Sequence, residues 1–303
     1  MRRKLIKQGS GQGTCYLAIP KRWITQQGLQ SGQEVEIAPE GNKLLISAEK
    51  GLVEPKTATF TIPDNKEVTI RKLLVNAYYR AGYDKFMVSY DYGVQDLIKI
   101  VKDNLIGFEV FTDKPGRYRI ESVAEPRYDD FEGITEKLFF LLLDVLDSLE
   151  DSTLLEKVSR VQRYDNFLKR CLTKRIYTPE ESYFLWQFLS SLTRIARQCY
   201  HYHQTLKNEK QILTSQEKEQ LQEIKRRITT IQKAYLRNDL NLIFQVHTIR
   251  QAELFQHLHK KIPPVSAYFM TSLARLAELA TSPLSGIIAL RTEKHEDSHG
   301  TRS

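Results

Sequence analysis

Acidic side chains are missing from the first 33 residues of this 303-residue chain. The same stretch carries six basic ones, Arg2, Arg3, Lys4, Lys7, Lys21 and Arg22, which leaves only two of the eight net positive charges to the rest of the molecule. A solubilising face mixes both signs of charge. A stretch of one sign is an electrostatic footprint for phosphate, here the DNA-binding end of a nearly neutral sensing or assembly body. Cysteine is scarce: Cys15, Cys171 and Cys199 are odd in number and show no Cys-x-x-Cys spacing. That excludes a disulfide framework or a thiolate zinc site and fits a reducing cytoplasm. Long apolar runs are lacking as well, since the most apolar, residues 138–143, is far shorter than the roughly 20 residues a bilayer span needs. No apolar segment follows the basic N-terminus as in a signal peptide. A cytoplasmic protein without membrane insertion is expected. Glycine-rich phosphate loops, Ser-His-Asp patterns and zinc spacings are also missing, so no catalytic or cofactor-binding residue is assigned and a non-enzyme is expected.

What is present reads as an α+β multidomain chain. Residues 10–19 alternate loosely, Ile19-Pro20-Lys21-Arg22-Trp23 leads into a short helix ending at Gly28, and residues 34–37 and 43–46 flank the turn Glu40-Gly41-Asn42 as a hairpin. A unit of about 50 residues like this is too small to bury a core alone, which predicts a homodimer with intertwined hairpins. From 51 to 125 a small α/β domain is expected: a strand near Thr59, a helix over 68–81 with Ile70, Leu73, Leu74, Ala77 and Tyr78 on one face, a strand over 85–90, a helix over 94–105, and a hairpin around Lys114-Pro115-Gly116. From 126 to 290 the period is helical throughout. Thr178-Pro179 with Glu181, and Thr214 with Glu217, mark two helix starts. The spacing predicts two units of three helices, the last stopped near Pro283, and a polar, frayed tail over 291–303.

Lys7-Gln8-Gly9-Ser10, Ala18-Ile19-Pro20-Lys21-Arg22-Trp23, Gly28-Leu29, Gly32 and Glu34-Val35-Glu36 together resemble an AbrB/SpoVT swapped-hairpin DNA-binding domain. The resemblance implies an N-terminal swapped-hairpin β-barrel, dimeric, presenting basic residues of both chains to double-stranded DNA. By position these are Arg3, Lys4, Lys7, Lys21 and Arg22, with Arg2 in the same basic set and Gln8 and Gln12 as polar neighbours able to reach base edges. With Arg71-Lys72-Leu73-Leu74, Ala81-Gly82-Tyr83, Arg194-Ile195-Ala196 and Arg275-Leu276-Ala277, nearly the whole chain is similar to the archaeal AbrB–PhoU-type phosphate uptake regulators. That implies a PhoU-like bundle at the C-terminus and a transcriptional regulator of phosphate uptake or metabolism. The alternative is a PhoU-like modulator of a phosphate transporter or signalling kinase, which would make such a transport or signalling protein its partner.

PhoU-like bundles carry Glu-x-x-x-Asp pairs whose carboxylates project from one helix face toward metal ions. Here Thr193, Arg197, Ala274 and Glu278 stand at those places, and Asp165 has Val161 one turn before it. A guanidinium repels a cation, so no metal cluster is expected. Cys199, His201 and His203 sit two residues apart, on different faces of one helix, as do His257 and His259. Asp144 and Asp147 read as a solvated face, and Cys199 as core.

Overall fold

The computed structural model describes residues 4–8, 14–40, 43–48, 55–62, 67–124, 126–174, 177–248 and 262–300. The chain is α+β, with small sheets first and a mostly helical region after them, and it divides into two compact units, Met1–Pro55 and Lys56–Ser303.

In the first unit β1 (Leu5–Gln8) runs antiparallel to β2 (Thr14–Leu17), setting Leu5 opposite Leu17, Ile6 opposite Tyr16 and Lys7 opposite Cys15. The strand pattern expected to begin at Ser10 is therefore preceded by a partner strand. α1 (Lys21–Gln26) starts directly after Pro20, whose φ of −61° suits a helix entrance. It stops where Gly28 takes φ +66°, which lets the Leu29 N–H donate to the Ile24 carbonyl at 3.0 Å. β3 (Val35–Glu40) and β4 (Lys43–Ala48) form a second hairpin, with Val35 opposite Ala48 and Ile37 opposite Ile46. The two ladders are separate two-stranded sheets, and no barrel closes among the described residues.

The second unit opens with β5 (Thr57–Thr61), α2 (Val68–Arg71), α3 (Leu73–Arg80), β6 (Lys85–Ser89), α4 (Val94–Asn104), β7 (Phe108–Lys114) and β8 (Arg117–Ser122). The strands order as β5-β6-β8-β7, the first pair parallel and the others antiparallel. The helix expected over 68–81 is broken at Lys72, and the apolar face assigned to it is not the buried one. Ile70 and Leu73 are exposed, whereas Arg71, Val75, Asn76 and Tyr79 are buried. Tertiary partners override the local pattern here, because Asn76 and Tyr79 have buried hydrogen-bonding groups to meet.

A 3-10 turn (Tyr128–Asp130) leads into α5 (Phe131–Asp147), α6 (Leu154–Thr173), α7 (Pro179–Glu209), α8 (Ser215–Arg237), α9 (Leu240–Thr248), α10 (Pro264–Leu279) and α11 (Thr281–Gly300). The apolar stripes expected on α5 and α7 form the core: Leu138, Leu142, Val145, Leu185, Phe188, Leu192 and Ile195 are buried. Both expected helix starts are built. The Thr178 hydroxyl accepts from the Glu181 N–H at 3.3 Å, and Thr214 with Glu217 forms a complete capping box. Glu217 is buried and also accepts from the Tyr202 hydroxyl at 2.6 Å, tying α8 to α7. With 31 residues α7 is about 46 Å long, and α5, α6, α10 and α11 all pack on it.

The helix begun at Pro264 ends at Leu279, close to the expected stop near Pro283, but the chain turns helical again at Thr281. Pro283 lies in the first turn of α11, where a missing N–H leaves no intrahelical bond unmade. The backbone of the expected frayed tail continues as helix to Gly300. Gly286 brings α11 close to α7, since a Cβ there would lie 2.7 Å from the Phe184 ring. Residues 264–292 are long and apolar enough to cross a membrane by length and composition, which the six-residue run at 138–143 is not, and half of their apolar 18-residue window is buried within the protein.

One buried cation fastens α6 to the α/β layer. Arg170 is fully buried and donates to the carbonyls of Tyr79 at 3.2 Å and Tyr83 at 2.7 Å and to Asp84 Oδ1 at 2.6 Å. Its guanidinium also lies over the rings of Tyr79 and Phe108. Burial alone would raise the Asp84 carboxyl, but Lys174, the Lys56 N–H and Arg170 together hold it below the usual carboxylate value. Arg170→Ala should lower the unfolding free energy of the full chain by about 3–5 kcal/mol, because a buried pair broken from one side strands its partners. Lys137→Ala, which removes an exposed pair 4.0 Å from Asp130, should change it by less than about 0.5 kcal/mol. Urea titration of both variants checks this. Since the Asp84 pKa is depressed on folding, its contribution is present above the unfolded carboxylate value of about 3.9 and is lost as pH falls through the folded one. Asp84→Asn should therefore flatten the acid limb of stability below about pH 4, measured by melting across pH.

Candidate nucleic-acid interface

The sequence-assigned cations of the first unit that lie among the described residues are all at its surface. Lys4 and Lys7 are exposed before and within β1, and Lys21 and Arg22 are exposed as the first two residues of α1. Strand register relates them. Leu5 opposes Leu17, so Lys4 lies at the end of the hairpin from which the chain leaves for α1. Lys21 follows Leu17 by four steps along the chain, a reach of at most about 14 Å. Lys7 lies further along the strand, and Gln8 ends it, paired through its backbone with Thr14. Arg2, Arg3 and Gln12 are outside the described residues.

Among the residues of this unit whose side chains are described, none is buried. Leu5 is 69% exposed and Ile6 61%, Tyr16 and Leu17 are exposed beside them, and Ile37 and Leu44 are exposed on the second hairpin at 56% and 64%. Apolar side chains therefore stand on both faces of the first ladder, because Leu5 and Ile6 alternate across the pleat.

The other sequence candidates are dispersed. Cys199 is in the core, where burial pushes its thiol up to about 12, while His201 is exposed and His203 Nδ1 lies 2.8 Å from the Leu149 carbonyl. His257 and His259 fall outside the described residues. Asp144 and Asp147 are solvated as expected, half-buried and exposed respectively, and pair there across helices with Lys157 and Lys225. The Thr193 hydroxyl is turned onto the Leu189 carbonyl at 2.9 Å, Ala274 is buried, and Glu278 pairs with Arg275 at 3.0 Å. Among the described residues no three His, Cys, Asp or Glu side chains gather in a group able to hold a metal ion.

No family model, curated protein or solved structure matches the chain.

A second polar constellation escaped the sequence reading. Gln162, Asp165, Asn166 and Lys169 line one face of α6, and all four are buried. Asp165 is 2.8 Å from Lys169 Nζ and 3.6 Å from an Arg80 nitrogen. Gln162 donates to Asp165 Oδ2 at 3.2 Å and accepts from Arg197 of α7. Asn166 accepts from Arg80 Nε at 2.7 Å and donates to the Asn104 carbonyl at 2.8 Å, joining α3 and α4 to α6. The signal was available in the spacing, because polar residues at i, i+3, i+4 and i+7 form a stripe. Read alone, such a stripe looks like a solvated face.

If a second copy covers the exposed strands, Ile37→Asp in the full chain should convert a dimer to a monomer. Each buried isoleucine contributes about 1.5–3 kcal/mol and a symmetric dimer holds two, so the dissociation constant should rise at least about a hundredfold. Sedimentation velocity reads this. Wild-type and variant chains of the same mass in solution would remove the dimer.

Proposed function

We propose that the chain is a DNA-binding transcriptional regulator of the AbrB/SpoVT type, in which two copies of the N-terminal unit interlock their hairpins into one barrel and present their cations to duplex DNA. The observation that carries this reading is the exposure of Lys4, Lys7, Lys21 and Arg22 on a unit whose first 33 residues hold no acid. A duplex offers a dense array of phosphates, and a protein that covers them with lysine and arginine gains affinity by releasing counterions. The exposed Leu5, Ile6, Ile37 and Leu44 support the dimer, because one copy of the unit lacks a partner surface on which to bury them. A two-fold arrangement would repeat each cation on a symmetric half-site. Gln8 and Gln12 are the candidates for base edges, and the backbone placement of Gln8 at the end of β1 keeps it beside Lys7.

The helical region is then a PhoU-like sensing or docking body, and the link to phosphate uptake or metabolism comes from the resemblance of the sequence to AbrB–PhoU-type regulators. This reading assigns no catalytic residue and works in the cytoplasm.

Replacing Lys21 and Arg22 together with alanine should weaken DNA binding and flatten its salt dependence while the protein stays folded. Each lost phosphate contact lowers the logarithmic slope by about 0.9, so a two-fold dimer loses up to about four units. Fluorescence anisotropy on a defined operator across salt concentrations, with circular dichroism of the same samples, makes the test. Unchanged affinity and slope would end the nucleic-acid reading of these residues.

A further inference from the structure

The junction of α3, α6 and α7 holds more positive charge than its own carboxylates neutralise. Asp165 is nearly inaccessible at 1% exposure, and its single charge serves both Lys169 and Arg80. From α7, Arg197 reaches the same place and meets only the neutral amide of Gln162 among the contacts of the described residues. Lys72, at the break between α2 and α3, completes the set, since residues 72, 76 and 80 are successive turns on one face of α3, and the charge of Asp103 of α4 acts on it. Four cations thus share two carboxylates, one of them exposed.

These cations act on one another. Burial first, and then the charges of Arg197 and Arg80, hold the Lys72 ammonium below its usual value. Lys169 is lowered by burial against the partial relief of Asp165, with Arg80 and Arg197 again opposing its charge. α3 is already fastened to α6 without these four cations, by Asn166 donating to Asn76 Oδ1 at 3.4 Å and by Arg170 donating to the Tyr79 carbonyl at 3.2 Å. Repelling cations kept together across three helices are a feature that lowers stability unless a counter-charge is supplied, and such features mark functional sites. The chemistry of the set is also specific. Two guanidiniums offer forked N–H donors, two ammoniums offer point charges, and Gln162 supplies an amide beside them, a combination suited to the tetrahedral oxygens of a doubly charged oxyanion. Access is open on one side, because Arg197 is exposed and Lys72 half-buried.

We propose that Lys72, Arg80, Lys169 and Arg197 form a binding site for a dianionic phosphoryl-type oxyanion at the junction of α3, α6 and α7. The bound group supplies the missing negative charge and bridges the α/β layer to α7. The site is separate from the basic N-terminal unit and stands whether or not that unit binds DNA.

The test is calorimetric titration of the full chain with inorganic phosphate, against sodium chloride at matched ionic strength. Wild-type protein should bind about one equivalent per chain and melt higher in phosphate than in chloride. Arg197→Gln and Lys72→Gln should each weaken phosphate binding at least tenfold, while Lys21→Ala with Arg22→Ala should leave it unchanged. In chloride alone the two glutamine variants should melt no lower than wild type, since each removes a repelling cation. That result separates loss of a ligand site from loss of a structural contact. A parallel titration with ADP identifies the source of the group: tighter binding than free phosphate assigns the site to the phosphoryl end of a larger molecule, and weaker binding to the free ion. No binding by the wild-type chain, glutamine variants that bind as wild type does, or binding abolished by the Lys21 and Arg22 change would each overturn the proposal. If Arg197→Gln fails to fold, the Lys72→Gln variant decides alone.

Discussion

The second unit depends on the guanidinium of Arg170. Among the described residues it is the largest side chain fully removed from solvent, and it satisfies two carbonyls at and just past the end of α3 together with the carboxylate of Asp84. Taking a cation out of water is costly, and the cost is met only when every donor finds an acceptor in good geometry. That requirement fixes α6 against the turn that joins α3 to β6 within a narrow range of positions. A purely apolar contact there would tolerate sliding by a residue or more. The rings of Tyr79 and Phe108 lie under the guanidinium and complete its surroundings. From this fixed point the polar face of α6 is aligned with α3 and α4, and the apolar face with α5 and α7.

α7 organises the other side. Its N-terminal half carries Phe184, whose ring occupies the space that a side chain at Gly286 would need. Its C-terminal half carries Tyr202, which holds the buried Glu217 of the α8 capping box. Arg291 of α11 adds a third fastening, donating to Glu132 of α5 at 2.6 Å and to the Tyr235 hydroxyl at 3.3 Å. Charge placed at helix junctions in this way restricts the alternatives open to a set of similar apolar stripes, since a shifted helix would leave a charged group unmatched.

How far the fold could be read from sequence followed the origin of each signal. Apolar period and cap chemistry are local, so α5, α7 and α8 were legible together with the Thr178 and Thr214 starts. The hairpin of β3 and β4 was legible from alternation and its turn. α2 and α3 were misread because Ile70 and Leu73 mimic a core face, whereas the true face is chosen by partners 25 to 91 residues away, from Asp96 beside Arg71 to Arg170 on the Tyr79 carbonyl. Pro283 was read as a terminator because proline has two opposite meanings, and only the position of the helix start decides between them. The basic N-terminal residues were legible as a charge excess, yet composition carries no information on register, which is what relates Lys4 to Lys21. The cluster around Asp165 shows in sequence only as a polar stripe, which reads as a solvated face. Each of its members looks like an ordinary solvated charge until three helices are brought together.

The side chains described in the first unit are all at least partly exposed, unlike those of the body. The body, with its continuous core, carries its own stability within one chain, and dilution leaves that quantity unchanged. If a second copy covers its exposed strands, as proposed, the N-terminal unit takes part of its order from contacts beyond one chain, and mass action governs it. Two melting processes with different dependence on protein concentration then coexist in one polypeptide. At low cellular abundance the chain would be a folded body with an unassembled end, and the amount of protein made would itself set how much of that end is competent.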